Sequence, residues 1–123
     1  MSSVGIVLIS HSSKIVDGVY DLISQVMTDV PISVAGGTND GEIGTSIDKI
    51  LAAIEEVYNE KGVLLLYDLG SAMMNAELAV ELSGYENIIV GENVPLVEGG
   101  YVAAVESSMG KTLEEVYAAV KTI

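Results

Sequence analysis

Apolar residues fall along this chain in two alternating patterns. Val4-Gly5-Ile6-Val7-Leu8-Ile9 and Val63-Leu64-Leu65-Leu66-Tyr67 are near-continuous apolar runs, as strands buried on both faces should be. Ile32 to Ala35 and Ile88-Ile89-Val90 are shorter runs of the same β-rich kind. Between these runs the spacing changes to that of a helix. Val16, Val19, Tyr20, Ile23, Val26 and Met27 recur at helical intervals in a segment that ends before Pro31. Ile47, Ile50, Leu51, Ile54, Val57 and Tyr58 form a second stripe, opened by Thr45 as an N-cap and stopped by Gly62. Met73, Ala76, Leu78, Ala79 and Leu82 suggest a third helix finishing at Ser83-Gly84. Pro95 suits a first helical position for a segment reaching about Met109, in which Gly99 and Gly100 weaken the pattern. Thr112 and Glu115 make a capping box for a last helix carrying Leu113, Val116, Tyr117 and Val120, and nothing reads as a fifth strand.

Strand and helix thus alternate with a period of roughly thirty residues, the spacing of right-handed βαβ units. No linker or low-complexity stretch divides them, so residues 1–123 are expected to form one α/β domain, a parallel four-stranded sheet with helices on both faces. Every strand-to-helix turn then lies on one edge, where such folds place their chemistry. Those turns are Ser10 to Ser13, Gly36 to Gly41, Asp68 to Ser71 and Glu92 to Pro95.

Composition narrows the function classes. Half of the chain is hydrophobic and its mean hydropathy is +0.48, high for a small soluble monomer, so burial against a second copy is expected along with a sheet covered on both sides. The net charge is −13, from 18 acidic residues against five lysines and no arginine, which excludes nucleic-acid binding for want of phosphate-neutralising groups. Any phosphate handled here must be held by backbone amides and helix starts, or by positive charge lent by a partner. The absence of cysteine removes disulfides, thiolate chemistry and the usual zinc clusters. No apolar segment approaches the ~20 residues of a membrane span, and no basic region precedes the first apolar run, so the cytoplasm is the expected compartment.

The single histidine, His11, lies where the first strand stops. A lone histidine beside a strand is often structural, but other chemistry-bearing groups arrive at the same edge. An imidazole near neutrality has one free nitrogen able to attack, and a carboxylate bonded to the other nitrogen fixes the tautomer and steadies the charge that develops. Asp68, ending the neighbouring strand, is the best-placed carboxylate, although a helix cap or Asx turn is its alternative use. Gly36-Gly37-Thr38 and Gly70-Ser71 supply amides and hydroxyls beside helix starts, a receptor for an anion. Nucleophile, orienter and anion cradle together point to phosphoryl transfer through phosphohistidine. Met73 and Met74 follow the Gly-Ser turn, and one of the two is expected in the core while the other could face a partner.

Other chemistries fail on spacing. Met109-Gly110-Lys111-Thr112 ends like a P-loop, but Val105 stands where its first glycine would fall. A serine hydrolase would need a G-x-S-x-G elbow, and none is present. A metal site is not expected, since there is no second histidine and no H-E-x-x-H spacing. An aspartyl-phosphate receiver would need an acidic pair after the first strand, where Ser10 and His11 stand instead.

Three segments carry a family resemblance. Ile9-Ser10-His11-Ser12-Ser13, then Ala35-Gly36-Gly37-Thr38 with Ile43-Gly44-Thr45, and above all Tyr67-Asp68-Leu69-Gly70-Ser71-Ala72-Met73-Met74-Asn75-Ala76-Glu77 resemble the phosphotransferase subunits of phosphoenolpyruvate-dependent dihydroxyacetone kinases, which share the mannose-class enzyme IIA fold. The resemblance implies strand order 2-1-3-4 and a phosphorelay. A phosphocarrier protein charged by enzyme I would load His11, and His11 would rephosphorylate ADP in the nucleotide-binding subunit of the kinase. His11 matches the phosphoaccepting histidine, Asp68 the carboxylate that orients it, and Gly37, Thr38 and Ser71 positions around the phosphate. No cofactor is implied for this chain; ADP and magnesium belong to the partner subunit. The fused phosphocarrier and enzyme-I-like domains of some members have no counterpart here, so the donor is expected to act in trans. A homodimer is implied, although mannose-class relatives exchange a fifth strand and here the corresponding end reads helical. Two alternatives stand beside this reading: a mannose-class enzyme IIA in sugar uptake, whose turn differs from Gly70-Ser71-Ala72-Met73-Met74-Asn75, and a non-catalytic protein-interaction module.

Overall fold

The computed structural model describes residues 2–123. Four strands, β1 (Gly5–Ser10), β2 (Ile32–Gly36), β3 (Val63–Tyr67) and β4 (Ile88–Val90), form a parallel sheet in the order β2-β1-β3-β4. Five helices accompany them: α1 (Ser13–Ser24), α2 (Ile47–Val57), α3 (Met73–Ser83), α4 (Leu96–Ser108) and α5 (Leu113–Val120). Fold class and strand order agree with the expectation from sequence.

Handedness distributes the helices. The chain moves one way from β1 to β2 and the other way from β2 to β3 to β4, so right-handed crossovers put α1 on one face and α2 and α3 on the opposite one. The continuous apolar runs feed both faces. Ile6 and Leu8 of β1 join Leu64 and Leu66 of β3 beneath α1, α4 and α5, while Val7 and Ile9 join Val63, Leu65 and Tyr67 beneath α2 and α3. Every residue of β1 and β3 is buried, and each leucine or isoleucine sealed in this way stabilises the fold by about 1.5–3 kcal/mol. Because the path reverses around β1, the carboxyl ends of β1 and β3 flank the topological switch point, the place where open α/β sheets leave a crevice for chemistry.

Details differ from the sequence expectation at the helix ends: α1 stops at Ser24, so Val26 and Met27 lie beyond it, and Tyr20 and Val26 are exposed. Ser46, not Thr45, caps α2, accepting the Lys49 N–H at 3.1 Å, and Thr45 instead accepts from Asn75 Nδ2 at 2.7 Å. Both hydroxyls suit a cap, and the Asn75 contact across to α3 decides between them. Pro95 is the N-cap of α4 with ψ 130°, one position before the helix rather than its first residue. Gly99 and Gly100 do not interrupt α4. They let it press close: a Cβ on Gly99 would stand 2.3 Å from Val94 Cγ1, and one on Gly100 would stand 3.1 Å from Leu8 Cδ2 and Ile23 Cδ1. In α3 the fully buried residues are Ala76 and Ala79, with Met73 and Val80 packed beside them, and Leu78 and Leu82 are exposed. The capping box forms as expected, with Thr112 N–H on Glu115 Oε1 at 2.9 Å and Glu115 N–H on Thr112 Oγ1 at 3.2 Å.

Gly62, between α2 and β3, has φ +94°, and a Cβ there would meet the Asn87 carbonyl oxygen at 2.5 Å. Replacing it with alanine combines a backbone conformation that L side chains rarely adopt with a collision against main chain. The Gly62→Ala variant is expected to lose about 1–3 kcal/mol of stability, measured as a lowered urea midpoint without a change in slope.

Candidate functional site

His11 is the first residue beyond β1, and its main chain is held on both sides. Its N–H donates to Asp68 Oδ2 at 3.0 Å, and its carbonyl accepts from Gly44 N–H at 2.9 Å. Asp68, the first residue beyond β3, donates its own N–H to the Ile9 carbonyl at 3.1 Å, so the two strand ends are laced together where the chemistry lies. His11 Nδ1 is 3.0 Å from Asp68 Oδ1, and His11 Nε2 is 2.9 Å from Ser71 Oγ. Residues 57 and 60 positions apart in sequence thus meet the same imidazole.

Donor and acceptor chemistry assigns the tautomer. An ionised carboxylate only accepts, so Nδ1 carries the proton, Nε2 presents its lone pair, and the Ser71 hydroxyl donates to it. The side chains of His11 and Asp68 are 20% and 16% exposed, so both are largely shielded and both keep some access to solvent.

Four hydrogen bonds converge on the Asp68 carboxylate. Ser10 Oγ donates at 2.8 Å and the His11 N–H at 3.0 Å to Oδ2, while Leu69 N–H at 2.8 Å and His11 Nδ1 at 3.0 Å address Oδ1. Burial pushes the carboxyl upward, but the bonds from the His11 ring, the Ser10 hydroxyl and the His11 and Leu69 amides outweigh it and hold Asp68 below its ordinary value. Ser10 also accepts the Ser12 N–H at 3.0 Å, and Ser12 caps α1 by accepting from Ile15 N–H at 3.4 Å.

The glycine-rich loop is shaped by its own hydrogen bonds. Gly37, at φ +74°, donates its N–H to the Ser10 carbonyl at 3.1 Å, and Thr38 donates its N–H to the Glu42 carbonyl at 2.9 Å while its Oγ1 accepts Glu42 N–H at 3.1 Å. Gly44 then ties the loop to His11. The structure therefore joins His11, Asp68 and Ser71 directly, and links Gly37 and Thr38 to them through Ser10 and the Gly44 contact. Amides without a protein acceptor among the described residues lie elsewhere on the edge, at Gly70 and Ser71 in the short 3-10 turn Gly70–Ala72 that precedes α3. Ser10 was missed as a functional candidate in the sequence, where it reads only as a neighbour of His11. Its place as the last strand residue, in register with Gly36 and one step from the Asp68 amide, was the available signal.

The surroundings are open. A groove of about 570 Å³ runs along β2 between Asp17, Lys49 and Glu56 and includes neither His11 nor Asp68. Met73 is partly buried against the core and Met74 is 71% exposed, one of each as the sequence suggested. Ile43 and Leu69, next in sequence to Gly44 and Asp68, and Ile15, in the first turn of α1 after His11, are exposed as well. Among the described residues no helix is long and apolar enough to cross a membrane, and no cluster of three metal-ligating side chains occurs.

Comparison with known proteins gives this fold its class: the chain belongs to the EIIA-man family, the PTS system fructose IIA component, which matches residues 5–117. Within that class it is similar to the PEP-dependent dihydroxyacetone kinase 1, phosphoryl donor subunit DhaM, of Listeria innocua serovar 6a, with 45% identity over 119 residues, 97% of this chain and 94% of that protein. It is also similar to the PTS-dependent dihydroxyacetone kinase, phosphotransferase subunit DhaM, of Lactococcus lactis subsp. lactis, with 44% identity over 113 residues, 91% of this chain and 89% of that one. Among solved structures, the crystal structure of EF1359, a protein of unknown function, superposes with a TM-score of 0.85 at 31% identity, covering 99% of this chain and 95% of that one.

Linkage gives the Asp68 network a sign. A carboxyl whose folded value is lowered contributes stability that is fully present above the unfolded value and is lost as pH falls through the folded one. The urea-unfolding stability of the wild type should therefore exceed that of Asp68→Asn near neutrality, and the gap should narrow below about pH 4, measured as paired titrations of the two proteins.

Proposed function

We propose that this chain is the phosphoryl donor subunit of a dihydroxyacetone kinase and carries the phosphoryl group on Nε2 of His11. The observation that carries the reading is the division of labour on one imidazole: Nδ1 is engaged by Asp68, and Nε2 is left for the incoming group beside a hydroxyl. The relatives at 45% and 44% identity, both named as DhaM subunits of dihydroxyacetone kinases, support the pathway over sugar uptake.

In the loading step the Nε2 lone pair attacks phosphorus, and the bond to the phosphocarrier breaks with its electron pair returning to that protein. The proton stays on Nδ1, so His11 becomes a phosphoimidazolium whose charge faces Asp68. Ser71 turns its hydroxyl from Nε2 to a phosphoryl oxygen, and the Gly70 and Ser71 amides supply further donors. In the unloading step a β-phosphate oxygen of ADP in the nucleotide-binding subunit attacks phosphorus, the N–P bond breaks, and its electrons return to Nε2 as neutral imidazole. Magnesium enters with ADP on the partner. Gly37 and Thr38 hold the loop that borders the group.

Charge compensation comes from outside. The chain has no arginine, and three of its five lysines are occupied: Lys49 on the Gly36 carbonyl, Lys111 on Glu106, and Lys121 over the Tyr117 ring. Transferring phosphoryl groups need cationic partners, so donor and acceptor proteins bring them. Substituting basic residues on the docking face of either partner should slow transfer, whereas unchanged rates across such a series would contradict this part of the reading.

Incubation with phosphoenolpyruvate, enzyme I and the phosphocarrier protein tests the whole. Acid-labile phosphate should appear on the wild type, be absent from His11→Ala, and pass to ADP when the nucleotide-loaded kinase subunit is added. A protein that takes no label is an interaction module; one that takes label but does not pass it to ADP belongs to sugar uptake. Ser71→Ala should accept phosphate about ten- to a hundredfold more slowly, the cost of one hydrogen bond to a charged group, measured in single-turnover transfer.

A further inference from the structure

Four serines of the described chain are buried, and they serve different ends. Ser33 Oγ donates to the Ala53 carbonyl at 2.7 Å and Ser107 Oγ to the Val4 carbonyl at 2.7 Å, pinning helices to the sheet, and Ser46 caps α2. Ser10, fully buried, donates instead to a charged group, Asp68 Oδ2 at 2.8 Å, on the oxygen opposite the one that faces the His11 ring. We propose that Ser10 is a positioning residue that acts on His11 through Asp68, drawing charge from the carboxylate so that the phosphoryl group is held on Nε2 loosely enough to be passed on. This rests on the phosphohistidine reading of the same site.

A carboxylate has about four acceptor positions, and here four donors use them. Each hydrogen bond to the ionised carboxylate makes it less basic, so donors on one carboxylate compete for its charge and the loss of one strengthens the rest. The loaded imidazole is cationic and the unloaded one neutral, so a carboxylate with more charge to give favours the loaded form. Ser10 weakens the partner and moves the balance toward release. The His11 and Leu69 amides keep one donor on each oxygen, so the carboxylate stays in place when the hydroxyl is removed.

The single histidine makes the test clean, since tag-free protein has one imidazole to observe. In Ser10→Ala the Nδ1 proton resonance should move downfield as its bond to Asp68 shortens. At equilibrium with phosphocarrier protein, the ratio of phosphorylated to free His11 should rise about three- to tenfold. Ser10→Thr, which keeps the hydroxyl, should restore both, and in an Asp68→Asn background Ser10→Ala should change neither. Because Ser12 N–H also loses its acceptor in Ser10→Ala, Ser10→Cys provides a near-isosteric variant with a weak donor, expected to move in the same direction. A folded Ser10→Ala or Ser10→Cys protein whose Nδ1 proton is unmoved or moves upfield, or whose phosphate ratio does not rise, overturns the proposal. If the wild type accepts no phosphate at all, the phosphohistidine reading fails, while the Nδ1 resonance still judges the link from Ser10 to the imidazole.

Discussion

The carboxylate of Asp68 is the point on which the local architecture depends. It takes hydrogen bonds from the last residue of β1, from the main chain and ring of His11, and from the amide of Leu69, and so it closes the gap between the two central strands at their carboxyl ends. That gap exists because the chain reverses direction around β1, and the loops leaving β1 and β3 diverge to opposite faces. An acid placed there would be costly if its lone pairs went unanswered. Each is answered, and the donors that answer are the groups that fix the imidazole, so what keeps the acid charged also aims the histidine.

Much of this was legible in the sequence because the strongest signals were periodic. The uninterrupted runs of β1 and β3 read as strands covered on both faces, which placed His11 and Asp68 at strand ends on one edge and made their meeting a geometric expectation. The helices were legible from their stripes, and the capping box of α5 from two residues. What was not legible depended on contacts between distant segments. Thr45 and Ser46 are equally suited to cap α2, and Asn75, thirty residues away, accounts for the difference. Gly99 and Gly100 look like a weakness in a helix until Val94, Leu8 and Ile23 are seen against them. Leu78 and Leu82 fit the spacing of α3, yet small residues meet the sheet.

The site shows the same division. His11 and Asp68 announce themselves by type and place, but the function of Ser10 depends on which oxygen of Asp68 its hydroxyl touches. The glycine-rich loop was read for its amides, and of these Thr38 N–H is spent on shaping the loop and Gly37 N–H on tying it to Ser10. Sequence reports which groups an edge can offer; only the folded chain reports which of them are still free.

The fastening of His11 at both its N–H and its carbonyl has a kinetic meaning. A residue so anchored has no arm with which to reach from one protein to another. Under the proposed relay, giver and taker must use the same doorway in turn, and every cycle contains a departure and a fresh encounter. Throughput then follows the abundance of both visitors, and a spent giver that lingers acts as a brake on delivery.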